Sequence, residues 1–358
     1  MATGNKIMVK GILVINLGGL GDVLLSTPAL RALKATYPQA EVSMLVSPRA
    51  SEAIKDLSYI DRIHIFYIGY GGRINLGGIF KNLKTLMLLR KERFDLAINM
   101  RTLVSKRSAL KIKFLLDIIK PEVKAGRHTE GRGSFFDIKI PERDFSEKYE
   151  MDYDIEMIRA LGAEVVDRNI DFKIDDYSFK RVDQILENEG VSEEDILIGI
   201  HPGGMPSRRW PLENFSKAID EISQKIDGRF IITGEKGDSP LARELKEINP
   251  NLKIIDVASK LNIKELGAII TRCRVYITND TGPMHLAAIL KTPLIAIFGP
   301  GDIIRYDPRR ISDKAVVLYK KMDCAPCNRA TCRARECLRV ISPGEAAAAA
   351  LRLIGRKE

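Results

Sequence analysis

The sequence is poor in aromatic residues, which make up 6% of 358 positions and include one tryptophan. That scarcity argues against a stacking platform for single-stranded nucleic acid, which needs aromatic faces along a basic groove. No uninterrupted apolar run approaches the length of a membrane span. The apolar stretch 12–30 is broken by glycines and by Asp22, and no small-residue cleavage site follows it, so it does not read as a secretion signal. The expectation is a cytoplasmic protein. Two nucleotide fingerprints are missing as well. No Gly-Lys-Ser/Thr follows the N-terminal glycine turn, which excludes a Walker phosphate loop. Leu24 stands where a dinucleotide fold needs its third glycine, and the strand-like run 42–46 ends in Ser47-Pro48 without an acid for a ribose. NAD is therefore a poor fit. No Asp-x-Asp pair sits at a strand end to carry a metal-bound diphosphate.

What is present describes a globular protein, with 45% hydrophobic and 29% charged residues. A net charge of +10 points to an anionic partner: a nucleotide, nucleic acid, a phosphorylated glycan or an acidic lipid surface. At 358 residues the chain exceeds what one core usually fills, so two domains are expected, 1–172 and 173–358. In the first half, strand-like runs at 12–17, 42–46, 63–66 and 96–100 alternate with helix patterns at 80–93 and 105–120. The polar stretch 171–195 reads as a linker. The alternation then restarts, with strands at 196–200, 230–233, 254–257, 275–278 and 294–298 and helices at 212–226, 263–271 and 284–290. An alanine-rich terminal helix at about 343–356 closes the chain and could pack back on the N-terminal half. Strand–helix alternation predicts parallel sheets, whose ligands sit beyond the C-terminal strand ends.

Two turns at such strand ends are built for an anion. Thr278-Asn279-Asp280-Thr281-Gly282-Pro283 joins an apolar strand to a helix. Asp280 and Thr281 are good cap types, Pro283 suits the first helical turn, and Gly282 lets a ligand approach the free amides. Gly18, Gly19 and Gly21 form the other turn, followed by Asp22 at the start of the next helix. Asp22 reads either as a helix cap or as a carboxylate offered to a substrate. The loop after strand 196–200 adds Ser207, Arg208 and Arg209, whose guanidinium forks suit a diphosphate, though an Arg pair is also an ordinary solvated loop. Glu235 and Leu261 follow the next two strands. With amides and Arg at the leaving group, no metal is required for such chemistry.

Three segments carry a family resemblance: 18–30 (GGLGDVLLSTPAL), 201–211 (HPGGMPSRRWP) and 279–286 (NDTGPMHL). Their order and spacing resemble those of the heptosyltransferases, family 9 of the glycosyltransferases. The resemblance implies a GT-B fold, two doubly wound Rossmann-like α/β domains facing a central cleft, with the acceptor on the N-terminal domain and the donor on the C-terminal one. It implies an inverting, metal-independent transfer of heptose from ADP-heptose to the lipid A-linked inner core of lipopolysaccharide, by a monomer peripheral to the cytoplasmic face of the inner membrane. On these motifs Asp22 matches the general base, with Gly18, Gly19 and Gly21 as the acceptor-side loop. Ser207, Arg208, Arg209, Glu235, Leu261, Asp280, Thr281, Gly282 and His285 fall on the donor side. Arg208 stands where the family usually has Lys, and His285 could equally anchor the turn.

Four cysteines, Cys324, Cys327, Cys332 and Cys337, have the spacing C-x2-C-x4-C-x4-C and supply the ligand count for a structural zinc, with free thiols or a disulfide pair as the alternatives. A basic region, Arg101, Lys106, Arg107, Lys111, Lys113, Lys120, Lys124, Arg127 and Arg132, is either a charged helix face or a contact for an anionic membrane surface. Two rival readings stay open. A GT-B enzyme for another nucleotide sugar, or an epimerase, would share the donor turn, and a non-catalytic binder of anions would share the charge.

Overall fold

The computed structural model describes residues 9–68, 76–144, 147–327 and 329–355. The chain divides into two compact units, Met1–Phe172 and Lys173–Glu358. In the first unit the chain runs β1 (Gly11–Asn16), α1 (Leu20–Leu25), α2 (Thr27–Thr36), β2 (Glu41–Val46), α3 (Pro48–Ile54) and β3 (Arg62–Ile65). It continues through α4 (Leu76–Glu92), β4 (Leu96–Asn99), α5 (Lys106–Ile119), β5 (Val123–Thr129), β6 (Ile138–Glu142) and α6 (Glu150–Ala160). All strand pairs are parallel, in the order β3-β2-β1-β4-β5-β6. β1 and β2 are buried nearly end to end, as continuous apolar runs must be when helices cover both faces of a sheet. The helices α4 and α5 pack side by side. Their Leu86, Leu89, Ala109, Leu115 and Leu116 join Leu13, Ile15 and Ala97 of the sheet in one apolar cluster.

The second unit opens with α7 (Asp176–Asn188), β7 (Ile196–His201), α8 (Leu212–Ser223), β8 (Gly228–Ile232), α9 (Ser239–Glu247) and β9 (Ile254–Asp256). Then follow α10 (Ile263–Arg272), β10 (Val275–Asn279), α11 (Gly282–Ile289), β11 (Leu294–Phe298) and α12 (Ile303–Tyr306). β12 (Ala315–Tyr319), α13 (Glu336–Arg339) and α14 (Pro343–Gly355) end the described chain. Its sheet is again fully parallel, ordered β12-β11-β10-β7-β8-β9. Each sheet thus starts in the middle, builds outward for three strands, and returns to build outward on the other side. The reversal lies between β1 and β4 in one unit and between β7 and β10 in the other, where loops diverge and leave room for a ligand.

Several elements differ from the sequence reading. The stretch taken as a linker contains α7, capped by Asp175, whose carboxylate accepts the Ser178 N–H at 2.7 Å. Its buried Val182 and Leu186 form a narrow stripe diluted by charge, which hid the helix. β5 was missed because its sequence, VKAGRHT, is polar; it is buried because Arg127 is neutralised inside the unit. The terminal helix α14 places Ala346, Ala347, Ala349 and Ala350 in the second unit's core and packs on α8. Among the described residues no helix is long and apolar enough to cross a membrane.

Candidate active site

In the first unit the site is assembled at the sheet's reversal. β1 ends at Asn16, whose amide oxygen accepts the Gly18 N–H at 3.2 Å while its Nδ2 donates to the Asp22 carbonyl at 3.1 Å. That clamp turns the chain sharply into α1. Asp22 lies in the first turn of α1, and its Oδ2 accepts the Gly19 N–H at 2.7 Å. A Cβ at Gly18 would lie 2.5 Å from the same oxygen, so the carboxylate needs glycine there. The other oxygen, Oδ1, is ion-paired with Arg101, two residues beyond β4.

Arg101 is held from behind. Its Nη1 lies 3.3 Å from Glu150 Oε1, and Glu150 lies 3.1 Å from Nη1 of the fully buried Arg127. Arg127 also meets Glu142 at 3.3 Å and Asp154 at 2.5 Å. Burial pushes the Asp154 carboxyl well above the usual carboxylate range. Asp22 is therefore the outer end of a charged chain whose inner end is dry and fixed.

The second unit repeats the arrangement with other residues. Asn279, at the end of β10, donates to the carbonyls of Pro202 and Gly203 at 2.9 and 3.0 Å and accepts the Trp210 N–H at 3.0 Å. It ties the loop after β7 to the loop after β10. Asp280 is almost fully buried, and Arg208 Nη1 reaches its Oδ2 at 2.8 Å. Thr281 caps α11, and Gly282 and Pro283 open its first turn, so its leading amides and dipole make an anion site. His285, one turn further, is buried with its ring edge-on to Tyr306 at 5.7 Å. A turn that the sequence reading passed over, Gly299-Pro300-Gly301-Asp302, closes on this pair. A Cβ at Gly301 would stand 1.9 Å from Asp280 Oδ2.

Other candidates take more structural positions. Arg209 donates to the Gly204 carbonyl at 2.8 Å and to Asp238 Oδ1 at 2.9 Å, while Asp238 Oδ2 accepts the Glu235 N–H at 3.1 Å. The exposed Glu235 is thus oriented by the same carboxylate that occupies Arg209. The Ser207 hydroxyl donates to the Arg329 carbonyl and anchors the loop. Half-buried Leu261 precedes Asn262, the cap of α10. Beneath the loop, His201 Nδ1 lies 3.1 Å from Thr233 Oγ1, itself 2.6 Å from the Tyr276 hydroxyl. Burial, with Arg209 adding and Asp238 opposing, drives the His201 pKa down to about 4.

Two expectations need correction. The four clustered cysteines are not arranged as a zinc site: among the described residues no three His, Cys, Asp or Glu side chains are placed to hold a metal. Cys337 is packed into the second core through α13, whereas Cys324 and Cys332 are exposed. Burial raises the Cys337 thiol, and its three neighbours raise it further. The basic region also loses members, since Arg127 is wholly internal and Arg101 is engaged with Asp22. No spacing rule marks Arg101; its role follows from β4 lying beside β1.

A sequence profile of Glycosyltransferase family 9 (heptosyltransferase) matches residues 83–338, well over half of the chain. The chain belongs to glycosyltransferase family 9. This family 9 enzyme is similar to lipooligosaccharide heptosyltransferase 2 of Campylobacter jejuni, 27% identical over 332 residues, covering 90% of this chain and 92% of that protein. It is also 27% identical over 314 residues to lipopolysaccharide heptosyltransferase 3 of Escherichia coli, covering 80% and 82%. Among solved structures, the ADP-heptose lipopolysaccharide heptosyltransferase II of E. coli aligns with a TM-score of 0.71 at 19% identity, over 96% and 98% of the two chains. The GT-B fold is thereby shared, and the protein is a glycosyltransferase of the heptosyltransferase family.

Proposed function

We propose that this enzyme transfers heptose from ADP-heptose to the lipid A-linked inner core of lipopolysaccharide, with inversion and without a metal. The first unit supplies the base and binds the acceptor; the second holds the donor. The acceptor hydroxyl oxygen attacks the anomeric carbon as the bond to the diphosphate breaks, and Asp22 takes the hydroxyl proton. The observation that carries this reading is the carboxylate of Asp22, fixed at a strand-order reversal by Gly19 on one oxygen and Arg101 on the other. A carboxylate so held is aimed, as proton transfer from a hydroxyl demands. Arg208 and the amides opening α11 would meet the charge that grows on the leaving diphosphate. Asp280 and Glu235 would address the sugar and ribose hydroxyls, and Leu261 the adenine.

The protein would act at the inner membrane's cytoplasmic face, where its acceptor is anchored. The test is transfer from ADP-heptose to a core acceptor in EDTA, with the product's anomeric configuration read by NMR. Full activity with inverted configuration is expected. Retention of configuration, or activity lost to EDTA and restored by a divalent cation, would overturn the reading. Parallel melting with ADP, UDP, GDP and dTDP should show the largest rise for ADP.

A further inference from the structure

Large apolar side chains that stand exposed gather on α4 and α5. Phe80 is 74% exposed, Phe114 66%, Leu110 64% and Met87 61%, with Ile79 and Leu83 completing the row. Ile79, Leu83 and Met87 are four residues apart, as are Leu110 and Phe114, so each set lies along one side of its helix. Other residues of the same helices, Leu86 and Leu89 on α4 and Leu115 and Leu116 on α5, already cover the sheet. Among the described residues the outward row therefore stays exposed rather than joining the first unit's core. Contiguous exposed apolar surface of this kind marks a contact with something outside the protein.

The charges on the same helices choose the partner. α4 carries Lys81, Lys84, Arg90 and Lys91, and α5 carries Lys106, Arg107, Lys111 and Lys113. Their acids are Glu92 and Asp117, and both are engaged: Glu92 with Arg62 and His64, Asp117 with Lys113 and Lys124. A second copy of this surface would meet like charge, and protein interfaces are generally depleted of lysine. Apolar residues interleaved with Lys and Arg match a phosphate-bearing surface over a hydrocarbon layer. We propose that α4 and α5 form a monotopic docking surface for an anionic phospholipid bilayer, inserting the apolar row below the headgroups while the basic side chains reach the phosphates. This rests on the proposed function only for a membrane to meet.

The experiment is sedimentation of the full chain with vesicles of phosphatidylethanolamine and phosphatidylglycerol, against vesicles of phosphatidylcholine alone. Wild type should bind the anionic vesicles and keep part of that binding at high salt, because apolar insertion is not screened. The pair Phe80→Ser and Phe114→Ser should weaken partition about tenfold or more at every salt concentration. The pair Lys84→Glu and Lys111→Glu should weaken it several-fold, mainly at low salt. Both variants should melt like wild type. Vesicle binding unchanged in both variants, or equal binding to neutral vesicles, would overturn the proposal. So would a wild-type dimer that the serine pair dissociates. Failure of the ADP-heptose reading would appear separately, as absence of ADP binding with vesicle partition intact.

Discussion

Arg101 and Asp22 join the two strands at which the first sheet reverses its order, the Asp following β1 and the Arg following β4. The second unit contains the converse pair, with Arg208 following β7 and Asp280 following β10. Each unit thus uses one Arg–Asp ion pair to fix the loops where its ligand is proposed to bind. The surroundings differ. Arg101 is backed by buried Glu150 and Arg127, while Asp280 is itself the buried member of its pair.

Removing Arg101 should therefore cost orientation of the proposed base, Asp22, more than binding. Arg101→Ala is expected to lower kcat by about ten- to a hundredfold, the scale of a small misplacement of a reacting group, with donor affinity unchanged. Arg101→Lys keeps the charge on a shorter side chain that places its ammonium differently from Nη1, so it should recover part of the rate. Steady-state kinetics beside donor titration calorimetry reads both. A loss confined to donor affinity would contradict the assignment.

Gly301 offers a probe of the second pair that leaves every charge in place. A methyl group at Gly301→Ala would meet Asp280 Oδ2 at 1.9 Å and Arg208 Cζ at 3.7 Å, forcing the carboxylate away from the guanidinium. Donor affinity should fall about tenfold or more, the effect of disturbing a charge-assisted hydrogen bond in a buried site. Combined with Arg208→Ala, the substitution should add little, because both disrupt one contact. Additive losses would place Gly301 outside the Asp280–Arg208 contact.

Much of this architecture could be read from residue order. The continuous apolar runs of β1, β2, β7, β10 and β11 and the glycine turns after them identify parallel sheets and the strand ends that matter. Polar elements were among the obscure ones, and the short apolar strand β12 was passed over as well. β5 hides Arg127 in a strand because three acids from β6 and α6 neutralise it, and no local pattern announces partners 15, 23 and 27 residues away. Arg101 was read as one charge among many for the same reason. Its significance comes from strand adjacency. The glycines at 299 and 301 were visible in the sequence, but only the approach of Asp280 shows what one of them is for.

Acid should loosen the second unit through His201. Its folded pKa, about 4, lies below the ordinary value of 6.5 because the ring is buried neutral. A depressed pKa gives stability that is present above the unfolded value and is lost as pH falls through the window down to the folded value. Unfolding then takes up as much as one proton there, a slope of at most about 1.4 kcal/mol per pH unit. Urea unfolding followed from neutral pH towards pH about 5 should show this slope for wild type, and His201→Asn should reduce it. Equal slopes would mean that His201 is not the titrating group.

The two aspartates can be separated by what each loss removes. Asp22→Ala should leave nucleotide-sugar binding nearly unchanged and lower turnover by about two to four orders of magnitude, the range for loss of a general base. It also removes the acceptor of the Gly19 N–H, so a fall in melting temperature corresponding to about 1 kcal/mol accompanies it. Asp280→Ala should instead weaken the donor, because it releases Arg208 and the turn that opens α11. Donor calorimetry and steady-state kinetics on the same preparations distinguish these outcomes. If Asp22→Ala lost donor affinity and kept its turnover at saturation, Asp22 would be a helix cap alone, and the base would have to be sought elsewhere.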